Sequence, residues 1–336
     1  MKSLPHQYIE RASGLVCTER LYADRLVRWM YHPLRENAPV VFNALTGPRV
    51  SSWLSTINYD LDFVSHLSGQ QKFLEACGVD LDECLDDPQT LTTARKIFER
   101  KIRYWQCRPM EERLETVVSP ADSRMITGSF CQTNQLFLKD KFFSFTELLG
   151  DDKAHWLQRF TDGDFAVFRL TPDKYHFNHL PVSGEIRDYY ELGDRYHACN
   201  PSAVVAQVTP YSKNRRVVTI IDTDVEGGSQ VGLVAMVEVV ALMIGDIAPC
   251  YTAAKGYDNT EPQRAGLMVK RGQPKSLFRP GSSTDVLLFE AGRVQFSDDI
   301  LTNQQRCDVH SRFSLGFGRS LVETDVQVRS TIATKR

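Results

Sequence analysis

Ser282 and Ser283 stand in Gly281-Ser282-Ser283-Thr284, immediately before the apolar run Val286-Leu287-Leu288-Phe289 and about fifty residues from the C-terminus. By itself the segment reads as a turn entering a strand, because small hydroxyl residues after a glycine commonly make one. A serine hydroxyl becomes a nucleophile when a positioned base removes its proton, and two upstream segments carry groups suited to that. Asp122 closes Ser119-Pro120-Ala121-Asp122, and His176 and His179 lie in Tyr175-His176-Phe177-Asn178-His179-Leu180-Pro181. An imidazole titrates near neutrality, so His179 is the candidate base. A buried carboxylate bonded to its other nitrogen would fix the tautomer and stabilise the imidazolium, which makes Asp122 the candidate orienter. His176 is a second proton carrier. On a strand, residues three apart face opposite ways, whereas a turn can bring both rings to one pocket.

These residues must be positioned by a chain whose texture changes partway along. From Glu19 to about Arg113 the pattern is helical: Tyr22, Leu26, Trp29 and Met30 recur at three and four residues, with Arg20, Arg25 and Arg28 between them. That face suits either packing on a catalytic domain or resting on an anionic membrane. The apolar residues between Val40 and Leu61 continue it through the break at Gly47-Pro48. After Val117 come short apolar runs bounded by Gly, Pro, Asn and Asp, the clearest at 166–170, 216–221, 231–240 and 285–289. The expected architecture is α+β, with a helical N-terminal layer (1–113) on an antiparallel, barrel- or sandwich-like β-rich core (114–336).

Bulk properties narrow the partners. The 336 residues carry a net charge of -2 and no Lys/Arg tract, which leaves no footprint for nucleic acid. Eight dispersed cysteines without a Cys-x-x-Cys indicate neither a metal site nor a disulfide scaffold, and a reducing, intracellular setting follows. The N-terminus lacks the apolar stretch of a signal peptide. The longest apolar run, Val231 to Ile247, is interrupted by Glu238 and Asp246 and reads as a buried strand with its continuation rather than a bilayer span.

The ordered set resembles the phosphatidylserine decarboxylases. Tyr8-Ile9-Glu10-Arg11 and Glu19-Arg20-Leu21-Tyr22 are similar to that family's amino-terminal segment. Phe98-Glu99-Arg100-Lys101-Ile102 and Arg108-Pro109-Met110 resemble its Phe-x-Arg-Lys-Leu and Arg-Pro-Ile elements, and Pro120-Ala121-Asp122-Ser123 its Pro-Ala-Asp-Gly motif. The stretch from Phe145 to Gly150, the Tyr-His-x-x-His-x-Pro block, Tyr196 to Pro201, Met236 to Val239 and Gly281 to Phe289 follow in the expected order.

The resemblance implies a chain that cuts itself. The activated Ser oxygen attacks the carbonyl of the preceding residue, and elimination from the resulting ester leaves a pyruvoyl group at the new N-terminus of a small α chain, the rest being the β chain. That pyruvoyl group is the only cofactor implied. His176 would return a proton to the substrate carbon. An ungapped match places the nucleophile at Ser283, with the β chain ending at about 282. The family's preference for cutting after a flexible Gly places it at Ser282 instead. Ser123 and Val240 stand where the family has Gly, and Pro280 and Ser282 alter the neighbourhood of the cut. The substrate implied is a phospholipid, phosphatidylserine, met by a peripheral protein on the cytoplasmic face of a membrane, with a homodimer left open. Decarboxylation of a free or aromatic amino acid, or a non-processing binding role on the same fold, are the other readings.

Overall fold

A computed structural model describes residues 5–19, 78–131, 144–195, 201, 204, 210–240, 246–257, 261–280 and 283–336. Gly281, Ser282, the segment 196–200 and the helical faces expected at 22–30 and 40–61 lie outside the described residues.

The dominant element is an open ten-stranded sheet with free ends at Met268–Val269 and Val16–Thr18. Between them, in spatial order, lie Gly184–Leu192, Arg216–Asp222, Leu233–Val240, Ser283–Phe289, Asp164–Leu170, Ser123–Ser129, Thr324–Val326 and Gln7–Glu10. Every described ladder in it is antiparallel except the pairing of Gln7–Glu10 with Thr324–Val326. The expected sheet architecture is therefore present, and it does not close into a barrel.

Ser283–Phe289 occupies the centre and is buried along its whole length. A strand covered on both faces reads as a near-continuous apolar run, which is why 285–289 stands out in the sequence. Val286 and Leu288 pack on one face with Ala235, Val237, Phe160 and Phe313, whereas Leu287 and Phe289 pack on the other with Ala166, Met236, Phe296 and Ile332. Helices Phe145–Leu149, Ala154–Phe160 and Arg312–Phe317 cover the first face. Beneath the second lies Val294–Phe296, Thr331–Lys335 and Thr116–Val118, a three-stranded sheet. A further three-stranded sheet, Ile247–Pro249, Pro274–Phe278 and Phe177–His179, carries the histidines.

Within the N-terminal region the described residues 5–19 form a β-hairpin, and the short helices Ala94–Phe98 and Tyr104–Cys107 pack beside His176 and His179. The hairpin is tied to the core by buried charge. Arg169 donates to Glu19 at 2.6 and 2.9 Å and to Glu323 at 2.6 and 3.0 Å; Arg124 reaches Glu19 at 2.5 Å; His6 Nε2 meets Glu323 at 2.7 Å. Burial alone would raise the Glu19 carboxyl, but Arg169 and Arg124 pull it down to about 2. Charges this deep are tolerable only when paired, and removing one partner strands the others. Arg169→Met is therefore expected to cost about 3 kcal/mol or more in a urea unfolding series, while Arg306→Met, at the exposed Asp308 pair, leaves the midpoint unchanged. Equal midpoints for the two variants would refute the network's structural weight.

Candidate active site

Ser283 opens the central strand opposite Leu170 on one side and Val240 on the other. Directly opposed residues share a face, so the Ser283 side chain points into the apolar cluster of Ala121, Leu170, Val240 and Phe278. It is fully buried, and among the described residues its hydroxyl has no hydrogen-bond partner. A buried polar group left unpaired costs about 1–3 kcal/mol, so this oxygen adds nothing to cohesion.

Asp122 lies just beyond Ala121, in a turn whose Pro120 carbonyl accepts the His179 backbone N–H at 2.7 Å. The sequence assigns the Asp122 carboxylate to the second nitrogen of His179, and in the structure that bond is not formed. Arg108 grips the carboxylate with Nε at 3.1 and 3.2 Å and Nη2 at 2.8 Å, and the Val328 N–H donates to it at 2.7 Å. Burial alone would raise this carboxyl, but the Arg108 guanidinium holds it below the usual range. His179 Nδ1 instead meets the Gly272 carbonyl at 2.9 Å, and Nε2 meets the Tyr175 hydroxyl at 3.0 Å. The physical reason is competition: a guanidinium fork satisfies a buried carboxylate better than an uncharged imidazole does.

Gly272 makes its own contribution. Its φ of 74° lies in the left-handed region, and a Cβ there would stand 2.5 Å from Met110 Sδ. Only a residue without a side chain both takes that backbone angle and lets its carbonyl approach the His179 ring. Burial then pushes His179 down to about 3, against the opposing hydrogen bond to Gly272. His176 goes elsewhere: its ring stacks on Phe98 with centroids 3.5 Å apart, Nδ1 meets the Lys174 carbonyl at 2.8 Å, and Nε2 is buried without a partner. Burial holds it well below its ordinary value too, with Arg100 adding to the effect. The two rings thus have different neighbours.

The departures at the family's glycine positions are accommodated. Among the described residues the non-glycine positive φ values belong to Asp162, Gln230 and Arg329, so neither Ser123 nor Val240 needs a left-handed backbone. Ser123 is buried and donates to the Ala121 carbonyl at 3.2 Å.

A second polar cluster escaped the sequence reading. Two residues along the strand from Ser283 and on the same face, Asp285 stands opposite Glu238 on the neighbouring strand, both fully buried. Lys275, Ser276 and Asn178 all donate to Glu238, whereas neither Asp285 oxygen has a partner. Burial first, and the charge of Glu238 second, push the Asp285 carboxyl well above its ordinary value, so it keeps its proton. The available signal was an acid in each of two otherwise apolar strands.

The phosphatidylserine decarboxylase family model matches residues 94–314. A phosphatidylserine decarboxylase proenzyme of Fusobacterium nucleatum is 24% identical over 315 residues, covering 92% of this chain and 95% of that protein. The proenzyme of Bordetella petrii is 31% identical over 239 residues, covering 68% and 79%. That of Chlamydia caviae is 26% identical over 337 residues, covering 96% and 100%. These relatives make the chain a carboxy-lyase. The chain belongs to the phosphatidylserine decarboxylase family.

The two neutral histidines give the fold an acid sensitivity. Their folded values are depressed while an unfolded imidazole titrates near 6.5, so the unfolded chain binds more protons below that point. Their contribution is complete above about pH 6.5 and is lost as pH falls, toward about 3 for His179, with a slope of up to about 1.4 kcal/mol per pH unit for each ring. Asp285 acts oppositely, because its raised value makes the folded state bind the extra proton above about pH 4. Stability of the uncut Ser283→Ala chain should drop between about pH 7 and about pH 5, and more steeply in Ser283→Ala/Asp285→Asn. Flat denaturant midpoints over that window would contradict this charge assignment.

Proposed function

We propose that this chain converts phosphatidylserine to phosphatidylethanolamine and CO2 after cutting itself before Ser283. The observation that carries the reading is the Ser283 hydroxyl, buried and unengaged at the first position of the central strand within a chain of this family. The names of the relatives favour a phospholipid over a free amino acid as substrate. The residues present fit a pyruvoyl group at position 283. Leu170 and Val240 hold the position between two strands, and Ala121 and Phe278 keep it dry. When formed, that group supplies an electrophilic carbonyl that condenses with the substrate amine and draws off electrons as CO2 leaves.

In this reading His179 takes the Ser283 proton. Asp122 acts on it through the 119–122 turn, since its bonds to Arg108 and Val328 fix the backbone to which the His179 N–H is tied. His176, with a free buried Nε2, is the proton carrier for the decarboxylation step. His179→Ala and Asp122→Asn should leave the chain uncut, or slow cleavage by several powers of ten, as loss of a triad member commonly does. His176→Ala should still mature but decarboxylate poorly.

The intact mass of the small chain decides the position of the cut. Cleavage before Ser283 divides the 38.2 kDa chain into fragments of about 32 and 6 kDa. The small one then carries pyruvoyl in place of Ser283 and resists Edman sequencing. A small chain heavier by one serine residue would assign the chemistry to Ser282 instead, and a wild-type chain that stays intact would refute the enzyme reading.

No helix among the described residues is long and apolar enough to cross a membrane. Peripheral attachment to the cytoplasmic face of an anionic membrane rests on the Tyr22, Leu26, Trp29, Met30 face and its flanking arginines, which lie outside the described residues. Each basic residue near such a surface contributes roughly 1 kcal/mol, screened over about a Debye length. Flotation with anionic vesicles should be strong at low salt and fade at high salt; absence of flotation at low salt would speak for a water-soluble substrate.

A further inference from the structure

The hydrogen bonds around His179 can be assigned proton by proton. The Gly272 carbonyl can only accept, so the Nδ1 atom 2.9 Å from it carries the hydrogen. The neutral ring therefore presents a lone pair at Nε2, and the Tyr175 hydroxyl 3.0 Å away must donate to it. Tyr175 has then spent its only proton, and the 2.7 Å contact to the Tyr257 hydroxyl requires Tyr257 to donate. The Ile102 N–H, 3.3 Å from the Tyr257 oxygen, completes the chain. Burial raises both phenols above their ordinary value, so both keep their protons.

The same heavy atoms permit one other order. Tyr257 also lies 2.9 Å from the Ile102 carbonyl, to which it can donate. Tyr175 would then donate to Tyr257, and the Nε2 lone pair of His179 would be bare. Two hydroxyl rotations separate the orders, and no heavy atom has to move. We infer that Tyr175 and Tyr257 form a two-position hydroxyl switch that decides whether His179 Nε2 is capped or free to receive the Ser283 proton. The inference rests on the role of His179 set out above and adds the groups that govern it. It also accounts for two features together: Nε2 is committed to Tyr175, and the Ser283 hydroxyl has no partner.

In the uncapped order the Ser283 proton passes to Nε2 as the serine oxygen bonds the carbonyl carbon of residue 282. The same proton then moves to the backbone nitrogen of residue 283 as the carbon–nitrogen bond breaks. Charge and atoms balance with no further reactant. Tyr175 and Tyr257 are positioning residues here, since they act through His179 and neither hydrogen-bonds the serine.

The test compares two substitutions that each delete one buried hydroxyl, Tyr175→Phe and Tyr257→Phe, in cell-free synthesis of the full chain with cleavage followed on denaturing gels. Tyr175→Phe leaves Nε2 permanently uncapped and should speed cleavage. Tyr257→Phe leaves Tyr175 no other acceptor and should slow it. Each change should be roughly fivefold, the worth of one net hydrogen bond. A merely structural pair of tyrosines would shift both rates the same way, and that result overturns the switch. The ring can also be read directly in uncut Ser283→Ala protein labelled with 15N-histidine. The Nε2 resonance should be that of a hydrogen-bonded acceptor, moving to the free-imidazole position on adding Tyr175→Phe. An Nε2 already free in Ser283→Ala alone overturns the proposal even if a tyrosine variant fails to fold. An uncut wild type, or a His179→Ala chain that still cuts, removes the underlying role of His179. A cutting wild type, an uncut His179→Ala chain and tyrosine variants of like sign remove the switch alone.

Discussion

A strand with neighbours on both edges and cores on both faces gives its polar side chains no access to water, and the whole site follows from that constraint. Ser283–Phe289 is such a strand, and three of its first residues, Ser283, Thr284 and Asp285, carry buried oxygens without partners. Buried polar atoms are almost always paired in folded proteins, so a run of exceptions marks a place where cohesion yields to another use. The cost is met by the apolar remainder of the same strand, Val286 to Phe289, which lies in the two main cores. Unpaired oxygens at one end and apolar anchoring at the other therefore belong to one element.

Charge around this strand is arranged by the same low-dielectric logic. Asp122 is held below the usual carboxylate range by the Arg108 guanidinium and the Val328 N–H, whereas Glu238 accepts from Lys275, Ser276 and Asn178. Asp285 has no donor and keeps its proton; His176 and His179 have no anion in contact and stay neutral. The uncut precursor thus holds two imidazoles with lone pairs, which is the state a base needs before it acts. One of those lone pairs is occupied by Tyr175 and the other is vacant.

Much of this was legible in the residues. The runs at 166–170 and 216–221 fall inside Asp164–Leu170 and Arg216–Asp222, because apolar residues bounded by breakers leave few alternatives in a buried sheet. Of the ordered set Asp122, His179 and Ser283, the fold puts Asp122 in the 119–122 turn to which the His179 N–H is tied, and Ser283 between Leu170 and Val240, which cluster with Ala121. Their bonding partners were not legible, for a physical reason. Gly272 is 93 residues from His179 and Val328 is 206 from Asp122, so those bonds depend on tertiary approach that no local pattern encodes. The hairpin at 5–19 was hidden similarly: its strands are three and four residues long, and a buried ion network holds them in the sheet rather than an apolar alternation.

The position of the cut also explains how a two-chain product would stay whole. A break before Ser283 falls at the start of the central strand, so no ladder among the described residues is severed. The small chain would still pair through seven residues with Asp164–Leu170 and seven with Leu233–Val240, both belonging to the large chain. Further along, Thr324–Val326 pairs with Ser123–Ser129, and Thr331–Lys335 with Thr116–Val118. Glu323, also in the small chain, holds Arg169 and His6 of the large one. A new chain end at 283 thus gains freedom only in the residues that must react, while everything after it remains a central strand. Cutting one residue earlier or later changes that little, which is why the fold alone tolerates either serine and the choice falls to the chemistry of the hydroxyl.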